Sequence, residues 1–417
     1  MPEAEPPSSA LTTTIVTTQA GFDGLEAIWV KLHKDSGAGV FQSFEWARTW
    51  WTHVGPRTPG RALRILVLDA GGEAVGIAPL FIDPVFCFPA FPLRRLAFIG
   101  TGLTDHLDIL AARGHEAAVV DRIAKELADR DDFDALELSD IADPSPTHTT
   151  LHAALQAHGF EGERFVNENC PRTRLAATWK DTLASWDGNH RRQIAKRTRQ
   201  LGEHYKVELD VCSRAEDVGR DIDEFIDLHQ YRWTSAGHQG VYNAPYLVNF
   251  QREIARVFFA RGWLFLAFLR LDGARAAAIC GFAYGKELAY YLNGVGELGE
   301  ARKYSPGTVL HGLCMEVLIA RGIEIYDFLR GTERYKYELG AVDVPNWTLR
   351  MFKAGPRVPR LKQSVAAFNE GLARRYQREK AAFNHHRRTH SFRETVRYTK
   401  DRIRETVNDF VKRFRAS

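Results

Sequence analysis

The sequence predicts a mixed α/β protein made of two similar units, followed by a basic helical tail. Three observations lead there. Segments of alternating apolar residues interleave with segments of helical period along the first 355 residues. Two distant segments, LVLDAGGEAVGIAPLF (66–81) and FLRLDGARAAAICGFA (268–283), share one order of strand, Asp-Gly-containing turn and small-residue strand. The charge is uneven: the chain carries +4 overall, but Pro356 to Ser417 hold 17 Lys and Arg against 6 Asp and Glu, leaving the body mildly acidic. A length of 417 residues with 45% hydrophobic and 26% charged residues suits two or three soluble domains with real cores.

Residues 1–12, rich in Pro, Glu and Ser, read as an unstructured start. The first unit spans 13–178. In it LRILVLDAGGEAVGIAPLFI is two strands joined at Asp69 to Gly72. A proline-rich excursion follows (Pro84, Pro89, Pro92), then strand-like pieces in RLAFIGTGLTDHLDIL, an amphipathic helix in EAAVVDRIAKELADR and a strand in FDALELSDI. The second unit spans 179–355. It opens with a basic helix, continues with a helix near Asp221 to Trp233, and then has three strands with turns at Asp272-Gly273 and Gly285-Lys286. SPGTVLHGLCMEVLIARG is a clear helix, with Ser305 suited to the N-cap, Pro306 to the first helical position, Val309, Leu313 and Val317 four apart, and Gly322 just past the end. IEIYDFL is the strand after it.

Three segments carry candidate chemistry. At the start of that helix, unpaired N–H groups and a partial positive charge can seat a diphosphate. Gly307 would allow close backbone approach, Ser305 and Thr308 would add hydroxyls, and Arg302 and Lys303 would neutralise charge; a plain helix cap explains the same residues. In YDFLRGTERYKYELG (326–340), the strand faces separate Ile325, Asp327 and Leu329 from Tyr326, Phe328 and Arg330, and Gly331 permits a turn that returns Glu333, Tyr335 and Lys336 over the strand ends. For acyl transfer from a thioester to an amine, Asp327 or Glu333 could take a proton, Tyr335 could give one, and Lys336 or Arg330 could neutralise an anion. Surface ion pairs account for the same charges. In NHRRQIAKRTRQL (189–201), Arg192, Lys196 and Arg199 share a face, so the helix suits either a solvated surface or an anionic ligand.

These pieces, in this order, resemble the CelD-type acetyltransferase family, which has the acyl-CoA N-acyltransferase (GNAT) fold and is related to FemAB-like peptidyltransferases. The resemblance is carried by Arg191-Arg192, LHQYRWTSAGHQG (228–240), the strands around LDGARAAA, YSPGTVL (304–310), YDFLRGTERYK (326–336) and, in the first half, GTGLTDHLDIL (100–110). It covers about residues 20–355 and implies tandem GNAT-like domains, 13–178 and 179–355, each a mixed sheet flanked by helices. It implies acyl-CoA, acetyl-CoA foremost, as co-substrate at Arg302, Ser305, Gly307 and Thr308, catalysis by Asp327, Glu333, Tyr335 and Lys336, and acceptor binding by Arg191, Arg192, Lys196, Trp233, Tyr291 and Arg330. The GNAT diphosphate loop usually reads Arg/Gln-x-x-Gly-x-Gly/Ala; here Arg302-Lys303-Tyr304-Ser305-Pro306-Gly307 departs from it. The acceptor would be a small molecule or a lipid- or nucleotide-linked amine in exopolysaccharide or envelope synthesis. The other implied readings are a transferase using aminoacyl-tRNA, the one version that needs nucleic acid, and a non-catalytic partner of a polysaccharide synthase.

The tail (356–417) spaces Phe392, Val396, Ile403, Val407, Phe410 and Phe414 helically among Arg and Lys. Such a helix fits packing on the acidic body, or contact with an anionic membrane surface, a nucleic acid or a synthase. Five scattered cysteines without a CxxC, and His385, His386 and His390 without acidic neighbours, argue against disulfides and a metal site. The acidic, proline-containing start lacks a signal-peptide pattern, and apolar runs such as VFFARGWLFLAFLRL stay short of the roughly 20 residues of a membrane span. The expected location is the cytoplasm, with the tail suited to the inner membrane face.

Overall fold

The computed structural model describes residues 11–87, 91–235, 237 and 240–354. The tail and all but the last two residues of the expected unstructured start lie outside the described residues; Thr12 already belongs to a strand. In chain order the first half contains β1 (Thr12–Val16), α1 (Gln19–Asp23), α2 (Glu26–Ser36), α3 (Phe44–His53), β2 (Ala62–Ala70), β3 (Glu73–Cys87), β4 (Phe91–Phe98), β5 (Leu110–Ala111), α4 (Glu116–Ala128), β6 (Ala135–Ala142), α5 (Thr147–Ala157), β7 (Phe160–Asn169) and β8 (Arg172–Arg174). The second half contains α6 (Trp179–Ser185), α7 (Gly188–His204), β9 (Val207–Val211), α8 (Val218–Ser235), α9 (Pro245–Ala260), β10 (Leu264–Leu271), β11 (Ala274–Tyr284), β12 (Glu287–Val295), α10 (Pro306–Ala320), β13 (Ile325–Asp327), α11 (Arg334–Glu338) and β14 (Pro345–Lys353).

Two sheets result. The first runs β1-β2-β3-β4-β6-β14-β7, with β5 paired to β3; the second runs β8-β13-β12-β11-β10-β9. Each builds four antiparallel strands outward from a parallel pair, β4 with β6 and β12 with β13, so the repeat seen in the sequence is a repeat of topology. The halves are not closed at 178 and 355, however. β14, from the end of the second half, inserts between β6 and β7 of the first sheet, and β8, from the first half, completes the second sheet beside β13. Both exchanged strands bond antiparallel to the strand that ends the parallel pair, where an open edge would otherwise face water.

The first sheet buries Leu66, Leu68, Leu80 and Leu136 under α4 and α5. Its other face, with Ile65, Ile77 and Phe81, shares one core with α2, α3, α8, α9 and the second sheet's Leu266, Phe268 and Phe282. Trp29, Trp46 and Trp50 lie in that shared core, so the halves are joined by apolar packing as dense as a domain interior. The far face of the second sheet, with Phe265, Ala267, Ile279 and Leu288, packs on α7 and α10 through Ile194, Leu201, Leu310 and Cys314. Pro84 and Pro92 stand in the paired strands β3 and β4, where a loop excursion was expected. Among the described residues no helix is long and apolar enough to cross a membrane.

Candidate functional site

The site is made by two strands that part. β12 and β13 pair in parallel only over Glu287 to Ala289 and Ile325 to Asp327. The strand expected to run to Leu329 stops at Asp327, because Leu329 takes φ 55° and Gly331 φ 107°, turning the chain away. β12 continues to Val295, bulged where Cys280 and Gly281 oppose it. Between the parted strands lies a cavity of about 280 Å3. Its walls are Tyr290 to Asn293 on one side, Phe328 to Arg330 with Glu333, Tyr335 and Lys336 on the other, and His229, Arg232 and Trp233 of α8. The first half closes it with Gly102, Leu103 and Asp105; the Tyr291 hydroxyl donates to Leu103 O at 3.2 Å.

Behind the cavity, Asp327 is fully buried. Its Oδ2 accepts from His106 Nε2 at 2.7 Å and lies 2.6 Å from Arg172 Nε, while its Oδ1 accepts the Leu329 N–H at 2.7 Å. Burial pushes this carboxyl up, but the His106 and Arg172 charges more than reverse it, so it is held below the usual carboxylate range. His106 answers in kind: burial lowers it, Asp327 raises it, and the rise prevails. Glu287, 3.9 Å from Arg172, is pushed up by burial and by the Asp327 charge. His106, Glu287 and Asp327 each bring a ligand-type atom within 4.8 Å of the others. The Arg172 guanidinium among them already supplies the positive charge such a group calls for.

Lys336 is buried and held by its own loop. Its Nζ donates to the carbonyls of Arg330 (2.7 Å), Gly331 (3.1 Å) and Leu329 (3.3 Å), and lies 3.0 Å from Glu333 Oε2. The three ammonium donors expected to meet an anionic ligand are therefore spent on pinning the turn after β13. Arg330 is likewise engaged across the halves, paired with Asp105, 3.5 Å from Asp140, and donating to Thr104 O at 2.7 Å. Tyr335 remains available. Burial pushes its hydroxyl up to about 12, Tyr290 bonds to it, and it stacks on His311 at 5.4 Å. His311 is bonded to the Tyr326 hydroxyl at 2.9 Å and is lowered to about 3 by burial and the Lys336 charge.

A second cavity, about 690 Å3, shares Arg232 and Trp233 with the first, follows Val295 to Gly299 and ends at Arg302. The exposed Arg302 has no ion pair among the described residues. Ser305 occupies the N-cap position of α10 but in the left-handed conformation (φ 54°), and its hydroxyl caps nothing. A Cβ built on Gly307 meets nothing within 4 Å, so the first turn of α10 is open, as a bulky anion at a helix N-terminus requires. Thr308 is half-buried beside it. Of the residues expected at the acceptor, Trp233, Tyr291 and Arg330 line the first cavity, whereas Arg191, Arg192 and Lys196 are exposed on α7 and line neither. Sequence reasoning gave no role to His106, Arg172, Glu287, His229 or Tyr290. His106 and His229 stand inside stretches that carry the family resemblance; Arg172 is marked by nothing local.

Comparison with known proteins agrees with this geometry. Residues 188–337 match the acetyltransferase (GNAT) domain family. FemX is similar over 81% of this chain and 96% of its own, at 12% identity and a TM-score of 0.55. L-PGS from Bacillus licheniformis is similar over 83% and 96%, at 10% identity and a TM-score of 0.50. No curated protein matches the chain in sequence. At such identities the solved structures speak for the fold, and the family match speaks for the second half. The chain thus has the tandem arrangement of GNAT-like α/β units, and it is an acyltransferase with its GNAT acetyltransferase domain in the second of them.

Proposed function

We propose that the chain moves an acyl group, acetyl foremost, from acyl-CoA onto the amine of a sugar-linked or peptide-like acceptor, as the CelD-type resemblance suggests. The parting of β12 and β13 carries this reading. Beyond Ala289 the β12 edge is no longer paired to β13, so its N–H groups can meet the oxyanion of a thioester adduct. Tyr335, kept protonated, adds a hydroxyl to the same cavity. The two cavities, which share Arg232 and Trp233 in their walls, mark out a path for the donor along β12 to Arg302 and the open start of α10. Asp327 and Lys336 serve by fixing the walls, and Glu333, half-turned to solvent, stands where an incoming ammonium would be attracted.

Thermal shift with acetyl-CoA and with longer acyl-CoAs tests this. The protein is expected to be stabilised, and Gly307→Trp or Arg302→Glu to abolish the effect; no shift with any CoA would sink the reading. The exposed Arg191, Arg192 and Lys196 of α7 favour a second reading, in which aminoacyl-tRNA is the donor. Binding of tRNA that weakens steeply with salt, together with silence toward CoA, would promote it. The cell-envelope setting and attachment to the inner membrane face through the basic tail belong to the same proposal, tested by retention on anionic vesicles.

A further inference from the structure

His229 stands out among the groups the acyl-transfer reading leaves unused. It lies on α8 where that helix rests directly on β12: a Cβ on Gly294 would sit 2.7 Å from the His229 backbone nitrogen, so only glycine lets the helix come so close. The approach brings Nδ1 to 2.7 Å from the Asn293 carbonyl. A carbonyl only accepts, so Nδ1 carries the hydrogen and Nε2 bears a lone pair. The ring is fully buried, Nε2 has no hydrogen-bond partner among the described residues, and the residue lines the first cavity. A buried acceptor left unmatched is costly, and a lone pair on a residue of the cavity wall can receive a ligand's hydrogen. Burial foremost, with Arg232 adding to it, lowers the imidazole to about 4 against the opposing bond to Asn293, so the ring is neutral at physiological pH.

We propose that His229 is a catalytic residue that takes a proton from the acceptor amine at its bare Nε2; this rests on the acyl-CoA reading above. As the amine nitrogen bonds to the thioester carbon, the C=O pair moves onto oxygen and one N–H proton passes to Nε2. The carbonyl then re-forms, the C–S bond breaks with its pair on sulfur, and the imidazolium returns the proton to the thiolate. The products are the amide and free CoA thiol, and the imidazole regains its starting tautomer.

Acetyl-CoA with hydroxylamine, a small amine neutral at pH 7, provides the probe, with thiol release as readout. His229→Gln and His229→Asn are compared, the latter able to keep the bond to Asn293. Both are expected to unfold near the wild-type temperature and to bind acetyl-CoA within about twofold of wild type, while transfer falls about 100-fold or more. Nitrogen-15 spectra of wild type should show one histidine, missing in both variants, protonated at Nδ1, whose Nε2 signal moves when the probe pair is added. A folded variant that transfers within about threefold of wild type overturns the inference alone. So does a spectrum showing the hydrogen on Nε2. Wild type that binds no acetyl-CoA and releases no thiol overturns the acyl-CoA reading and this inference with it.

Discussion

Each half of the molecule contains a parallel strand pair that separates, and the halves treat the gap in opposite ways. β4 and β6 pair at Arg95 and Leu96 and then diverge. The chain leaving β4 turns back at Gly100, whose φ is 110° and whose absent side chain leaves room for Thr104 and Leu107, and fills its own gap. There Leu107 N bonds to Asp140 O of β6 at 2.8 Å. The β12–β13 gap stays open as the cavity. The plug in the first half is also the lid of the second: its next residues offer Leu103 O to Tyr291, Asp105 to Arg330 and His106 to Asp327. The fold is repeated in the two halves, but the site is not. One copy is a wall for the other.

The largest test of that division is the ion group where plug meets site. Asp327→Ala would leave His106 and Arg172 buried without their carboxylate and should cost about 3–5 kcal/mol in urea unfolding. A loss below about 1 kcal/mol would mean that the wall is held by something else. Next come the two close-packed glycines. Gly100→Ala and Gly294→Ala should each cost about 1–3 kcal/mol, from a forced contact and, at Gly100, from positive φ. Only the Gly294 change, which moves α8 on β12, should also weaken acetyl-CoA binding measured by calorimetry. Equal effects from both would erase the distinction between filled and open gap.

Acid should separate the regions further. His229 and His311 of the open half have folded pKa values of about 4 and about 3, below the unfolded value near 6.5. As pH falls from 6.5 toward 4, the unfolded chain takes protons that the folded chain refuses. Each of the two should therefore remove up to about 1.4 kcal/mol of stability per pH unit. His311→Gln should remove about 1 kcal/mol of the fall in unfolding free energy between pH 6.5 and 5.5, read from urea unfolding. At the wall the sign reverses: His106 is raised, so its contribution is complete below pH 6.5 and is lost as pH rises through its folded pKa. The smallest effect on stability belongs to Gly307→Trp, which points into open space and should change unfolding by under about 0.5 kcal/mol. The same change should reduce acetyl-CoA affinity at least about tenfold, a loss of about 1.4 kcal/mol.

Much of the fold was legible because its signals are local. Asp69 to Gly72 form the expected hairpin turn, with positive φ at both glycines; α10 starts at Pro306 and ends before Gly322; Gly331 makes the turn that returns Lys336 over the strand end. What stayed hidden depends on partners far away in sequence. β8 has three residues and no periodicity to show, and β14 shows a strand pattern without showing which sheet it joins. His106, Arg172 and Asp327 come from three separate segments, so their union could not be read from any one of them. Lys336 and Arg330 looked like ligands for an anion because their partners are backbone carbonyls and an aspartate of the other half. Arg191, Arg192 and Lys196 looked like part of the pocket because periodicity places a face on a helix without saying what that face meets.

The exchanged strands also set the order of assembly. A chain growing from its N-terminus can lay down β1 to β7, but the seam between β6 and β7 stays unzipped until residues 345–353 arrive. The second sheet, in turn, is finished by a strand made before any of its other members. Neither half can reach its final hydrogen bonding alone, so folding should close as a single late event dominated by contacts distant in sequence, with slow kinetics. A cut at 178–179 would yield two fragments, each lacking a piece it cannot supply and each carrying the piece the other needs. Mixed together, they should click back into one molecule.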